Sequence, residues 1–153
     1  MGLLKPPAHR AEHPDVEARS HRILLVEDNA GDAELMRLAL TEAQPGCQLL
    51  VATDGEQALE LLLRGHLPDL VLIDLNLPRL SGHELLADLR ASRDPRVRRL
   101  PVVVLTSSAA PDDVQRSYDL FASSHIVKPQ DADRLFEIVE RLARYWFGTA
   151  ALP

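Results

Sequence analysis

The sequence predicts an α/β domain in which a parallel sheet is covered by helices on both faces. Two observations predict it. Five short runs rich in leucine or β-branched residues alternate with longer stretches of helical period. The runs read as near-continuous apolar segments, as expected of strands buried on both sides. With 153 residues, 46% hydrophobic and 26% charged, the chain suffices for one sizeable core, so a single domain is expected.

Residues 1–21 hold Pro6, Pro7 and Pro14 among charges and histidines without a sustained apolar period, and they read as a mobile tail. His9, His13 and His21 are expected there as solvated side chains rather than metal ligands. The domain is expected over 22–147 and a C-terminal arm over 148–153. Strands are expected at 23–26, 48–52, 70–73, 102–105 and 125–127, and helices at 30–43, 55–64, 82–91, 112–121 and 131–147. Asn29 with Asp32, Asp54 with Gln57, and Ser81 with Glu84 have the spacing of helix caps or a capping box. Pro111 suits a first helical position.

Composition excludes several classes. The longest apolar runs fall far short of the roughly 20 residues that span a bilayer, and no targeting signal stands at the N-terminus. Cys47 is the single cysteine, so no internal disulfide is possible, which fits a cytoplasmic protein. A net charge of −6 disfavours nucleic acid. The cluster Arg90, Arg93, Arg96, Arg98 and Arg99 reads as a solvated loop around Pro95.

In open parallel sheets the ligand crevice lies at the carboxyl ends of the strands. Here those ends deliver Glu27 and Asp28, Asp74, Thr106 with Ser107 and Ser108, and Lys128. Three carboxylates on one rim raise one another's pKa unless a cation joins them. Magnesium fits such a donor set and commonly works beside phosphate. Asp74 is then the nucleophile for a phosphoryl group, with Thr106 and Lys128 binding its oxygens and the metal bridging Asp28 and Asp74. Asp54 is read as a helix cap and kept out of the site.

The segments Ile23-Leu24-Leu25-Val26-Glu27-Asp28-Asn29, Asp74-Leu75-Asn76-Leu77-Pro78 with Gly82, Val104-Leu105-Thr106-Ser107 and Val127-Lys128-Pro129 together resemble the receiver domains of two-component response regulators. The resemblance covers roughly residues 22–147. It implies a flavodoxin-like sandwich of five strands in the order 2-1-3-4-5 with five helices. It implies Asp74 as phosphoacceptor, Glu27 and Asp28 as the acidic pair, and the Asn76 carbonyl as a further ligand of Mg2+, with Mn2+ as substitute. It also implies a cis Lys128–Pro129 bond, and Thr106 as a switch partnered by a residue on the last strand. That residue is His125 rather than Tyr or Phe. Such a protein is no enzyme but a phosphoacceptor assisting its own phosphorylation and dephosphorylation. Its partners are a sensor histidine kinase and a downstream phosphotransfer protein.

The ending from Tyr145 to Pro153 resembles small stand-alone regulators paired with bacterial and cyanobacterial phytochromes, which implies a bacteriophytochrome kinase as donor. Three other readings compete. A dehalogenase-type phosphatase needs a second acid where Asn76 stands, and a flavin mononucleotide carrier would meet repulsion from Glu27 and Asp28. A pseudo-receiver scaffold would have lost Asp74, Lys128 or the acidic pair, and all are present. On the final helix Leu135, Ile138, Val139, Leu142 and Trp146 form one apolar stripe. Phe136, Tyr145, Trp146 and Phe147 add aromatic surface beyond it, and a two-fold homodimer through these residues is expected.

Overall fold

The computed structural model describes residues 20–153, so His9 and His13 lie outside the described residues. The element order is β1 (Arg22–Val26), α1 (Ala30–Ala43), β2 (Gln48–Ala52), α2 (Gly55–Leu63), β3 (Leu70–Ile73), α3 (Gly82–Arg90), α4 (Pro95–Arg98), β4 (Val102–Thr106), α5 (Pro111–Asp119), β5 (Ser124–Val127) and α6 (Ala132–Ala143). A π-helical segment, Arg144–Thr149, continues α6. All four strand pairings are parallel, and the order β2-β1-β3-β4-β5 is the one expected.

Alternate side chains of the sheet feed two cores. Leu24, Val26, Val71, Ile73, Val102 and Val104 pack with Leu62 of α2 and Leu85, Leu86 and Leu89 of α3. Ile23, Leu25, Leu70, Leu72, Val103 and Leu105 pack with Met36 and Leu40 of α1 and Leu135, Val139 and Leu142 of α6. Because both faces are apolar, the inner strands carry no polar alternation. The edge strand β5 is only half-buried and Val127 is exposed, which is why its apolar run is the shortest.

The caps form as expected. Asn29 Oδ1 accepts from the Asp32 N–H at 2.9 Å, Asp54 Oδ1 from the Gln57 N–H at 2.7 Å, and Ser81 and Glu84 close a reciprocal box.

Five expectations need correction. Among the described residues there are six α-helices, because Pro95 opens the four-residue α4, which Asp94 caps, and four residues are too few to show a helical period. Arg90 is not a solvated side chain: its guanidinium donates to the carbonyls of Phe121, Arg98 and Leu100 at 3.0, 2.9 and 2.7 Å. Arg93, Arg96, Arg98 and Arg99 are exposed. His21 belongs to the fold, its ring stacked on Phe147 at 4.3 Å and its carbonyl accepting from the Gln48 N–H. Phe136, Trp146 and Phe147 pack against the core beneath α1 and α6, and of the four aromatics only Tyr145, at 54%, is largely exposed. Lys128–Pro129 is not cis. Among the described residues no helix is long and apolar enough to cross a membrane.

Candidate functional site

The sheet ladder holds the backbone of three polar residues at the carboxyl rim. The Glu27 N–H donates to the Ala52 carbonyl at 2.9 Å, the Asp74 N–H to Val26 at 3.0 Å, and the Lys128 N–H to Thr106 at 2.7 Å. β3, which Asp74 directly follows, is the middle strand of the five. One close approach fixes the start of α3 against it. A Cβ on Gly82 would stand 2.3 Å from the Asp74 carbonyl oxygen and 2.7 Å from the Leu75 Cα, so only glycine fits.

The side chains meet around one ammonium. Lys128 Nζ donates to Glu27 Oε2 at 2.6 Å and to Asp74 Oδ2 at 2.9 Å, and stands 3.6 Å from Asp32 Oδ2. Glu27 is 2% exposed and Asp74 8%, so this is a buried charge cluster. Backbone donors complete it: the Asn76 N–H reaches Asp74 Oδ1 at 3.1 Å, and the Asn29 N–H reaches Glu27 Oε1 at 3.2 Å.

Burial raises both carboxyls, and their hydrogen bonds set them apart. At Glu27 it outweighs the help of Lys128, and the neighbouring Asp74 adds to it, so the pKa rises to about 7. At Asp74 burial also raises, but hydrogen bonds from Lys128, Glu27 and the Asn76 N–H overcome it and hold the carboxyl below its ordinary value. A proton shared between the pair therefore resides on Glu27, and Asp74 is the anion. Lys128, which burial alone would lower, is raised by both acids and stays charged.

The hard oxygen donors Glu27, Asp28, Asp74 and the Asn76 carbonyl suit a divalent cation of the magnesium type. Burial is the first cause of the raised Glu27 carboxyl, and a bound cation would offset that cost of burying its charge. The donor set therefore fits such an ion. Asp28 lies exposed beside the cluster, and among the described residues no three carboxylate, imidazole or thiol groups are already gathered as a metal site.

Thr106 is wholly buried, and its hydroxyl accepts from the Ser108 N–H at 3.4 Å rather than meeting Asp74. Asp54 caps α2, as expected. His125 Nε2 lies 3.0 Å from the Ser108 carbonyl, and its Nδ1 lies 2.9 Å from Ser117 Oγ. Ser117 and His83, which lines the buried face of α3, were not singled out by sequence reasoning. The one available signal was that His83 precedes Leu86 by three residues on an apolar stripe.

Comparison with known proteins agrees with this geometry. The model of the response regulator receiver domain matches residues 23–140. Response regulator Rcp1 of Synechocystis sp. is 36% identical over 137 residues, covering 86% of this chain and 92% of that protein. Sporulation initiation phosphotransferase F of Bacillus subtilis is 32% identical over 80% of this chain and 93% of its own length. The crystal structure of the phosphorylated cyanobacterial phytochrome response regulator RcpA has a TM-score of 0.81 at 38% identity, covering 88% of this chain and 99% of that one. The Mn2+-bound form of Rcp1 has a TM-score of 0.78 at 36% identity, covering 87% and 99%. In sequence, strand order and the residues at its strand ends, the chain belongs to the response regulator receiver domain family.

Proposed function

We propose that Asp74 accepts a phosphoryl group from the phosphohistidine of a sensor histidine kinase. The observation that carries this reading is the ionised Asp74 carboxylate, held at the end of the central strand between the Lys128 ammonium and the Asn76 N–H. An Asp74 oxygen attacks phosphorus as the N–P bond of the donor breaks, the imidazole keeps the electron pair, and an acyl phosphate results. Lys128, already beside the attacking carboxylate, follows the incoming negative charge to the phosphoryl oxygens. Its departure from Glu27 leaves that acid protonated or paired with another cation.

Glu27, Asp28, Asp74 and the Asn76 carbonyl would hold Mg2+ or Mn2+, which when bound would supply positive charge for the phosphoryl oxygens. The Mn2+-bound form of Rcp1 supports this. Thr106 and His125 both contact Ser108, through its N–H and its carbonyl, which supports the two as a linked switch. The receiver is a phosphoacceptor rather than an enzyme acting on a separate substrate.

The likeness to Rcp1 and RcpA supports a bacteriophytochrome-type kinase as donor, and the likeness to sporulation initiation phosphotransferase F supports onward transfer to a phosphotransfer protein. We place the protein in the cytoplasm as a homodimer. The exposed Tyr145 and the half-buried Ile126, Ile138 and Trp146 line an open cavity of about 310 Å³ along β5 and α6, which supports pairing there. Mass spectrometry after incubation with acetyl phosphate and magnesium tests the main reading. One added phosphoryl group is expected in the wild type and none in Asp74→Asn, and labelling that persists in that variant would sink the assignment. Light scattering tests the dimer, which a monomer at micromolar concentration, phosphorylated or not, would exclude.

A further inference from the structure

Away from the acidic cluster, the structure buries a second set of polar groups that phosphoryl acceptance does not use. Ser117 on α5 is 0% exposed and His83 on α3 is 5% exposed. His83 Nε2 lies 3.0 Å from Ser117 Oγ, and the same oxygen lies 2.9 Å from His125 Nδ1. His125 Nε2 then lies 3.0 Å from the Ser108 carbonyl. One chain of contacts thus runs from α3 through α5 and β5 into the loop that follows Thr106.

Counting hydrogens gives that chain a direction. A carbonyl only accepts, so His125 Nε2 carries a hydrogen toward Ser108. A neutral ring has one such hydrogen, which leaves Nδ1 bare. The Ser117 hydroxyl has a single proton and two acceptors in reach, His125 Nδ1 and the Asp113 carbonyl at 3.0 Å. Given to Asp113, it would leave two buried lone pairs facing each other at 2.9 Å. Given to His125, it leaves Ser117 free to accept from His83 Nε2–H. Burial first, and then the charge of Arg116, lowers the His83 pKa and favours its neutral ring. The groups facing the relay are Asp113, Arg116 and the Tyr118 hydroxyl, all on α5. Asp113 accepts from the Ser108 hydroxyl at 2.5 Å, and Tyr118 accepts from the His125 N–H at 3.3 Å.

We infer that His83 and Ser117 are positioning residues that fix His125 as the Nε2–H tautomer, through which the ring holds the Thr106–Ser108 loop in its resting place. Hydrogen bonds that all point one way reinforce one another, so the ring is held more firmly than by either contact alone. The link to signalling rests on the phosphoacceptor reading: Thr106 moves toward a phosphoryl group only when the Ser108 carbonyl is released. A weakened relay should therefore favour the phosphorylated arrangement.

Nitrogen-15 NMR of histidine side chains in the full-length, unphosphorylated protein near neutral pH tests the inference. The wild-type His125 should be the Nε2–H tautomer, and Ser117→Ala should give a mixture of tautomers. Exchange of the Ser108 amide should quicken about fivefold in that variant, the equivalent of one hydrogen bond. His83→Leu should act similarly, while His83→Gln, whose amide keeps a donor, should restore the wild-type tautomer. These histidine variants keep the test decisive if Ser117→Ala does not fold. An Nδ1–H or doubly protonated His125 in the wild type, or an unchanged tautomer in both Ser117→Ala and His83→Leu, would overturn the inference. All these readings come from the resting protein, so failure to label Asp74 would overturn the phosphoacceptor reading alone.

Discussion

The two halves of the functional rim are held by different forces. At the ends of β1 and β3, two buried carboxylates share one ammonium, and the carboxyls sit on opposite sides of their ordinary values. At the ends of β4 and β5, Thr106, Ser108, Ser117, His83 and His125 are joined by hydrogen bonds between hydroxyl, imidazole and backbone groups. Breaking a buried ion pair costs several kcal/mol because it strands a charge, whereas a neutral hydrogen bond contributes about 1 kcal/mol. The charged half should therefore respond to protons and cations, and the neutral half should store geometry at small energetic cost.

The largest break in this contrast is Lys128→Ala. It strands Glu27 and Asp74 without their shared ammonium, and urea denaturation near pH 8 without divalent ions should show a loss of about 3 kcal/mol. Near pH 5 Glu27 keeps its proton, and the loss should fall below half of that. Equal losses at the two pH values would show that packing, not charge, is the role of this lysine.

Next comes Glu27→Gln, which addresses the sign of the pH dependence. A carboxyl raised from 4.5 to about 7 binds its proton more tightly folded than unfolded, so wild-type stability should fall as pH rises through that window. The full effect is at most about 3 kcal/mol, and the glutamine variant should lose the slope. Asp74 works the other way: its lowered carboxyl stabilises above the ordinary value of 3.8, and that contribution disappears as pH falls through the folded value. Magnesium should stabilise the wild type more near pH 8 than near pH 5, and the Gln variant less than the wild type. A wild-type denaturation midpoint that rises from pH 5 to 7 would contradict the assignment.

The smallest effect belongs to the neutral half. Thr106→Val removes only a long hydrogen bond, and it should cost about 1 kcal/mol with no pH dependence between about pH 5 and pH 8. Asp74 should still be labelled by acetyl phosphate, while the fluorescence change of Trp146 on phosphorylation should shrink. A pH-dependent loss in this variant would show that the two halves are coupled in the resting state.

Much of this contrast is legible in the sequence, though unevenly. The strands, the caps at Asn29, Asp54 and Ser81, and the acids at the strand ends are written in contiguous residues, and the rule that parallel strands present their carboxyl ends on one side brings Glu27, Asp74 and Lys128 together. That Lys128 binds Glu27, 101 positions away, depends on side-chain reach that no spacing encodes. His83 and Ser117 are single polar residues on amphipathic helices, where a polar residue ordinarily means the solvent side. Arg90 is hidden among four exposed arginines, although it alone gathers three carbonyls. The seating of the aromatic ending is hidden for another reason: over Arg144–Thr149 the chain winds as a π-helix, which a uniform 3.6-residue period does not describe, and Trp146 and Phe147 pack in part against the core.

The stack of His21 on Phe147 carries one more consequence. It brings both ends of the folded domain to the amino side of the sheet, opposite Asp74, where Pro153 also lies beside Leu67, Pro68 and Pro101. The points where the chain enters and leaves the domain thus lie away from the rim that carries Asp74. A short linker joining these ends, with a new opening at Gly65, would give a circular permutant. Gly65 already adopts φ +85, and a Cβ there would meet nothing within 4 Å, so the cut would fall in an exposed turn. The phosphoacceptor rim would keep every one of its contacts in such a rewired molecule.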